Sequence, residues 1–399
     1  MDQRSLPTEN SSPATASSPA KKLPLHFGAL DGLRGIAILA VLAHHYGNSL
    51  LTGTTPLRRA VLTAVEFGGM GVDLFFALSG FLITGILYDM KDQSHFFRRF
   101  YWRRSLRIFP PFYVLLLACL PFRQMFDHVR FIWFAAYLRN WRPPDYNSDF
   151  FLGHLWSLGV EEQFYIFWAI AVFFCPRKRL PWLMAGLSVF ALVFRSWMFA
   201  HGYSQYQMMR FTLSRIDALL LGGLVAIGYR EWNWKIVRRA SWVLGLLALA
   251  GFTLVNAFDG GKLFNAIARI SGASLSAMMF AALVAVSLDV KLTSLAGHIL
   301  HSAFLRNIAK YSYAMYLFHL APHELFHASY LRFADHHPAW TVPLKLAYIP
   351  IMSAVVYGMA RLSWRYVEAP CLRLKDRYPD GPSFFYRGRT ENAGTPAEP

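Results

Sequence analysis

Apolar runs of about twenty residues recur along this chain, and that length decides what it can fold into. A helix of about twenty residues is roughly 30 Å long, the thickness of a bilayer's hydrocarbon core. Within that core no water satisfies the backbone, so a spanning segment must be a helix or part of a closed barrel. The alternation of a membrane barrel is absent from these runs. The expected fold is an all-α polytopic membrane protein. Composition agrees: 55% of the 399 residues are hydrophobic and only 16% are charged, few charges for a soluble chain.

Ten spans are expected, near 30–50, 70–88, 109–122, 155–175, 181–200, 212–229, 241–257, 270–288, 311–329 and 342–361. The third is short and leads into 131–138, an apolar stretch too short to cross and better suited to an interface. If the N-terminus is cytoplasmic, the inside segments carry most of the Lys and Arg, notably 89–108, 176–180 and 230–240. Basic loops stay inside, so the expected orientation is N-in and C-in. The same rule accounts for the net charge of +17; no nucleic-acid partner is expected, and the bilayer is.

Residues 1–25, rich in Ser, Pro, Thr and Ala, are expected to be a disordered cytoplasmic tail. They lack the short apolar core and cleavage site of a signal peptide. Residues 26–372 form the expected membrane domain, and 373–399 a polar cytoplasmic tail. Cys119, Cys175 and Cys371 are far apart and form no metal-binding pattern, so neither a disulfide framework nor a metal is expected. No internal repeat is visible, which weakens the case for transporter folds built from repeats.

Ionisable groups inside spans are costly and mark function. Arg34 and His45 lie eleven positions apart in the first span. Eleven residues return to nearly the same helix face, about 16 Å along the axis. Arg is a permanent cation suited to phosphate, and His is the commonest general base. Snorkelling of Arg34 and simple packing of His45 explain each residue separately. Asp73 sits in GVDLFFALSGFLI beside Ser79–Gly80, where it can orient a histidine or bind another cation; the Ser–Gly pair suits close helix packing. Arg103, Arg104 and Arg107 share a helical stretch and suit either a phosphate or anionic headgroups. Glu161, with Glu162, opens an apolar helix, where a helix N-terminus also favours acids. His319 lies in the middle of the ninth expected span. On these residues alone, catalysis competes evenly with a transporter or flippase built around an intramembrane charged path.

Taken together, the segments resemble the membrane acyltransferase-3 family, integral-membrane O-acyltransferases that decorate polysaccharides and lipid-linked glycans. The likeness covers residues 26–372 in order. LDGLRGIAxLxVxxxH is matched from Leu30 to His45, and GVDLFFxxSGFLI from Gly71 to Ile83. RRxxRIxP is matched by Arg103, Arg104, Arg107, Ile108 and Pro110, and HxWSLxVEExFY from His154 to Tyr165. SYxxYLxH ends at His319, and VExP is matched by Val367, Glu368 and Pro370.

The resemblance implies ten core helices in the inner (plasma) membrane. It implies transfer of an acyl group, acetyl by expectation, from cytoplasmic acyl-CoA to a hydroxyl of a glycan or lipid-linked sugar. His45 is then a general base or a transient acyl acceptor. Arg34, Arg103, Arg104 and Arg107 hold the donor, and Glu161 or Asp73 orients a histidine or the acceptor. His319 is a second base or a packing contact. No resident cofactor is expected. Some relatives carry a fused hydrolase-like domain; this chain is expected to lack one, so a later handover would need a partner protein, or this core completes the reaction alone.

Overall fold

A computed structural model describes residues 27–47, 65–121, 131–141, 151–257, 261–336 and 341–374. The expected tail 1–25 lies outside the described residues, as does 373–399 apart from Arg373 and Leu374. Every regular element among the described residues is helical. Eleven long helices follow in chain order. They are α1 Gly28–Gly47, α2 Gly71–Met90, α3 Phe96–Cys119, α4 Trp156–Phe174, α5 Leu180–Ala200 and α6 Ile216–Glu231. Then come α7 Trp234–Ala257, α8 Gly261–Ser287, α9 Ala303–Phe318, α10 Leu320–Asp335 and α11 Thr341–Ser363.

Among the described residues, six helical segments are long and apolar enough to cross a bilayer. They contain α2, α4, α5, α7, α8 and most of α11. The other expected spans fall on α1, the second half of α3, α6 and the α9–α10 pair, which are shorter or carry more polar groups. Those polar groups belong to the interior of the bundle, where ionisable side chains in membrane helices are found. α1 is central: Ile38, Leu42 and Tyr46 are fully buried, and α2, α9 and α11 pack around it. By contrast α7 is almost entirely exposed and packs mainly on α8.

Small residues bring two helices into backbone contact. A Cβ on Gly80 of α2 would overlap the Leu219 carbonyl of α6, and one on Gly222 would overlap the Ala77 carbonyl. Such close approach is what small residues permit between membrane helices. Across the same region run buried ion pairs. Arg195 of α5 bonds Asp217 at 2.8 Å and the Ile270 carbonyl at 2.8 Å, and also reaches Ser214 and Ser274. Arg215, just ahead of α6, pairs with Asp73 of α2, whose other oxygen accepts from Ser276 of α8. Arg230 grips Asp89 through two bonds of 2.7 Å.

One expected span is divided. Residues 311–329 do not form one helix; the ladder breaks at His319, between α9 and α10. Pro322 explains the break, because it has no N–H to give the Phe318 carbonyl and its ring crowds that carbonyl. The break exposes backbone acceptors deep in the protein, and they must find other donors.

Candidate active site

α1 carries the two ends of the site. Arg34 lies 3.9 Å from Asp31, one turn earlier. Around it gather groups from three other elements. Arg107 of α3 feels the charges of Arg34, Arg104 and Glu368. Glu368 is buried in a π-helical turn, Trp364–Glu368, that ends α11, and it accepts a 3.1 Å bond from Ser363. The Arg104 guanidinium lies over the Tyr165 ring at 3.4 Å, with its Nε 3.6 Å from Glu162. Glu161 accepts from Ser79 and Tyr165, within the electrostatic reach of both Arg104 and Arg34. The structure thus brings Arg34, Arg104, Arg107 and Glu161 together. Arg103 lies on the same stretch of α3, half-buried.

A cleft of about 460 Å³ adjoins this network. Arg104, Glu162, Tyr165, Tyr137 and Trp141 line it, and its mouth reaches the exposed side chains of Ile166 and Phe167 on α4.

The other end of α1 is aromatic. His45 stacks on His319 with ring centres 4.8 Å apart and planes 19° from parallel. His154, from the 3-10 turn before α4, meets His319 edge-on at 4.6 Å. The carbonyls at the α9–α10 break orient these rings. His319 Nδ1 donates to the Tyr316 carbonyl at 2.6 Å, His154 Nε2 to the Leu317 carbonyl at 3.0 Å, and the Tyr46 hydroxyl to the His319 carbonyl at 3.0 Å. His319 Nε2 and His154 Nδ1 are buried and have no hydrogen-bond partner among the described residues. Buried polar atoms without partners are rare and call for an explanation.

A cavity of about 210 Å³ opens on this cluster. His44, His45, His154, Trp156, Arg210 and Tyr316 are among the residues lining it. That is smaller than a drug-sized site and suits one reacting group with a single ring. Tyr316 lies between the two ends: its hydroxyl donates to the His154 carbonyl at 3.1 Å and contacts Ser157 at 2.6 Å. Among the described residues, no group of His, Cys, Asp or Glu has the arrangement of a metal site.

Of the residues singled out from the sequence, His45 and His319 meet at one end, and Arg34, Arg104, Arg107 and Glu161 at the other. Asp73 joins neither group. Arg215 and Ser276 engage its two oxygens, so it orients no histidine. The sequence reading left out His154, Tyr316 and Arg210 as site residues. His154 opens one matched segment and Tyr316 stands within SYxxYLxH, and those positions are their only signals; Arg210 becomes visible only when distant helices are brought together.

A family model described as an acyltransferase domain, of the acyltransferase-3 type, matches residues 27–361. The chain belongs to the acyltransferase-3 family. Among curated proteins, it is 26% identical over 373 residues to the O-acetyltransferase OatA of Staphylococcus aureus strain NCTC 8325. That match covers 87% of this chain and 57% of OatA. A candidate O-acetyltransferase of S. aureus strain COL is 27% identical over 376 residues, covering 86% of this chain and 56% of that protein. This acyltransferase-3 chain therefore spans just over half the length of the relatives it matches. No solved structure gives a significant match.

Proposed function

We propose that this protein is a multi-pass O-acyltransferase of the inner (plasma) membrane, oriented N-in and C-in. It moves an acyl group, acetyl in the reading favoured here, from cytoplasmic acyl-CoA to a hydroxyl of a glycan or lipid-linked sugar. The observation that carries this is the arrangement along α1. Arg34 and its guanidinium neighbours stand at one end, and a histidine-lined cavity stands about 16 Å away at the other. A long donor with phosphates at one end and a thioester at the other fits that separation. The family and the OatA relatives support the same chemistry.

In this reading Arg34, Arg103, Arg104 and Arg107 hold the donor's phosphates, since a guanidinium fork matches phosphate oxygens. The cleft beside Arg104 suits the donor's flexible arm. Glu161 keeps the arginine cluster in register through Ser79 and Tyr165. An alkyl hydroxyl is a weak nucleophile, so transfer needs a base within hydrogen-bond reach or an intermediate that carries the acyl group. His45 lines the cavity, and no described residue hydrogen-bonds its ring. It is placed for either role. His319 backs it by stacking. A partner protein completes any later handover to a more distant acceptor.

The test is mass spectrometry of surface glycans from cells with and without the protein, together with His45→Ala. That variant should insert normally and transfer nothing. Full acylation by His45→Ala would overturn the assignment.

A further inference from the structure

We propose that His154 is a catalytic base of this cavity: its Nδ1 takes the proton of the attacking hydroxyl, which leaves His45 free to face the acyl group. The proposal rests on the acyltransferase reading above and deepens it.

The argument begins with the backbone. A carbonyl only accepts, so the nitrogen of His154 that meets the Leu317 carbonyl is the N–H. In an uncharged imidazole the other nitrogen then carries a lone pair. That nitrogen is Nδ1, and it has no partner among the described residues although His154 is only 4% exposed. The ring cannot exchange its nitrogens without losing the Leu317 bond. Its own backbone is held as well: the hydrogen-bonded pair of Ser157 and Tyr316 hydroxyls donates to the His154 carbonyl. The result is a fixed, unpartnered and buried acceptor on a ring that lines the cavity, as His45 does.

His44 also lines the cavity, with its Nδ1 on the Val65 carbonyl at 3.1 Å, but it is only half-buried. His319 also leaves one nitrogen unpartnered, but it is fully buried behind His45 and lies outside the cavity lining. It is a positioning residue. His154 combines a fixed, buried and unpartnered nitrogen with a place in the cavity lining.

The step balances. The acceptor oxygen attacks the acyl carbon, and its proton moves to His154 Nδ1. The bond from the acyl carbon to its leaving atom breaks, and the electron pair departs with that atom. The leaving atom is the thioester sulfur in direct transfer, or a ring nitrogen of His45 if the acyl group has first moved there. In direct transfer His154 returns the proton to the sulfur. Through His45 the departing sulfur takes the ring N–H proton of His45 in the first step, and in the second the hydroxyl proton held by His154 passes back to the ring of His45 as the acyl–nitrogen bond breaks. Thioester and alcohol become ester and thiol.

The substitution His154→Gln separates catalysis from structure. A glutamine amide can still donate to the Leu317 carbonyl, yet it has no basic ring nitrogen. The full chain, in lipid nanodiscs, is given labelled acetyl-CoA and polysaccharide extracted from cells lacking the protein. His154→Gln should lower kcat by about 100-fold or more, as loss of a general base does. The KM for acetyl-CoA should stay within about threefold, because donor binding is elsewhere. His154→Gly should recover transfer in proportion to added imidazole, and this arm decides the matter if the glutamine variant does not fold. Near-normal turnover of His154→Gln, or a His154→Gly variant deaf to imidazole, would overturn the proposal. A wild-type protein that transfers no acetyl at all would overturn the acyltransferase reading itself.

Discussion

Two buried polar clusters in this protein solve the same problem in opposite ways. At Arg195 every nitrogen of a fully buried guanidinium finds an acceptor: Asp217, Ser274 and two carbonyls. At the α9–α10 break two imidazole nitrogens are left with none among the described residues. A closed network rigidifies a core, whereas an open one waits for a ligand. Burial of polar groups in a membrane bundle is therefore no guide to chemistry by itself. What separates the two clusters is whether hydrogen-bonding capacity remains after folding.

The largest expected effect breaks the closed cluster. Arg195→Met leaves Asp217 buried and unpaired, and removing one partner of such a pair costs about 3–5 kcal/mol. The variant should be lost from the membrane, or should melt well below the wild type in fluorescence-detected size-exclusion chromatography. Wild-type melting with lost acyl transfer would mean that Arg195 belongs to the reacting machinery instead. An intermediate case is Arg34, whose ion pair with Asp31 is loose at 3.9 Å. Arg34→Gln should leave melting unchanged and raise the KM for acetyl-CoA by about tenfold or more, as expected when a charged hydrogen bond to a ligand is lost. An unchanged KM would remove Arg34 from the donor site. The smallest effect lies at the rim of the open cluster. Tyr46→Phe deletes the hydroxyl that caps the His319 carbonyl and should cost about 1 kcal/mol of stability, the scale of a hydrogen bond within a membrane bundle. A loss several times larger would show that this hydroxyl anchors the whole break.

The comparison also explains what could be read from the sequence. The spacing of Arg34 and His45 is local, and one helix delivers it. The all-helical architecture follows from the lengths of the apolar runs. Close packing at Ser79–Gly80 was legible because only small residues allow it, and Gly80 does meet the α6 backbone. The partner of Asp73 was not legible: Arg215 lies 142 residues away, and either a histidine or an arginine would have satisfied the carboxylate. The expected span 311–329 failed at Pro322, whose effect was hidden inside a strongly apolar run. His154 was passed over for a related reason. Its meaning depends on which of its nitrogens is occupied, and a carbonyl 163 residues away decides that.

The break at His319 also bears on speed. Its carbonyls hold side chains from α1, from the turn before α4 and from His319 at the break itself. Those rings lose their rotational freedom once, as the chain folds, and not again at each turnover. A catalytic group that is already aimed when the substrate arrives spares the reaction that entropy every time. The proline that interrupts a helix thus shortens the search that each reacting pair would otherwise make.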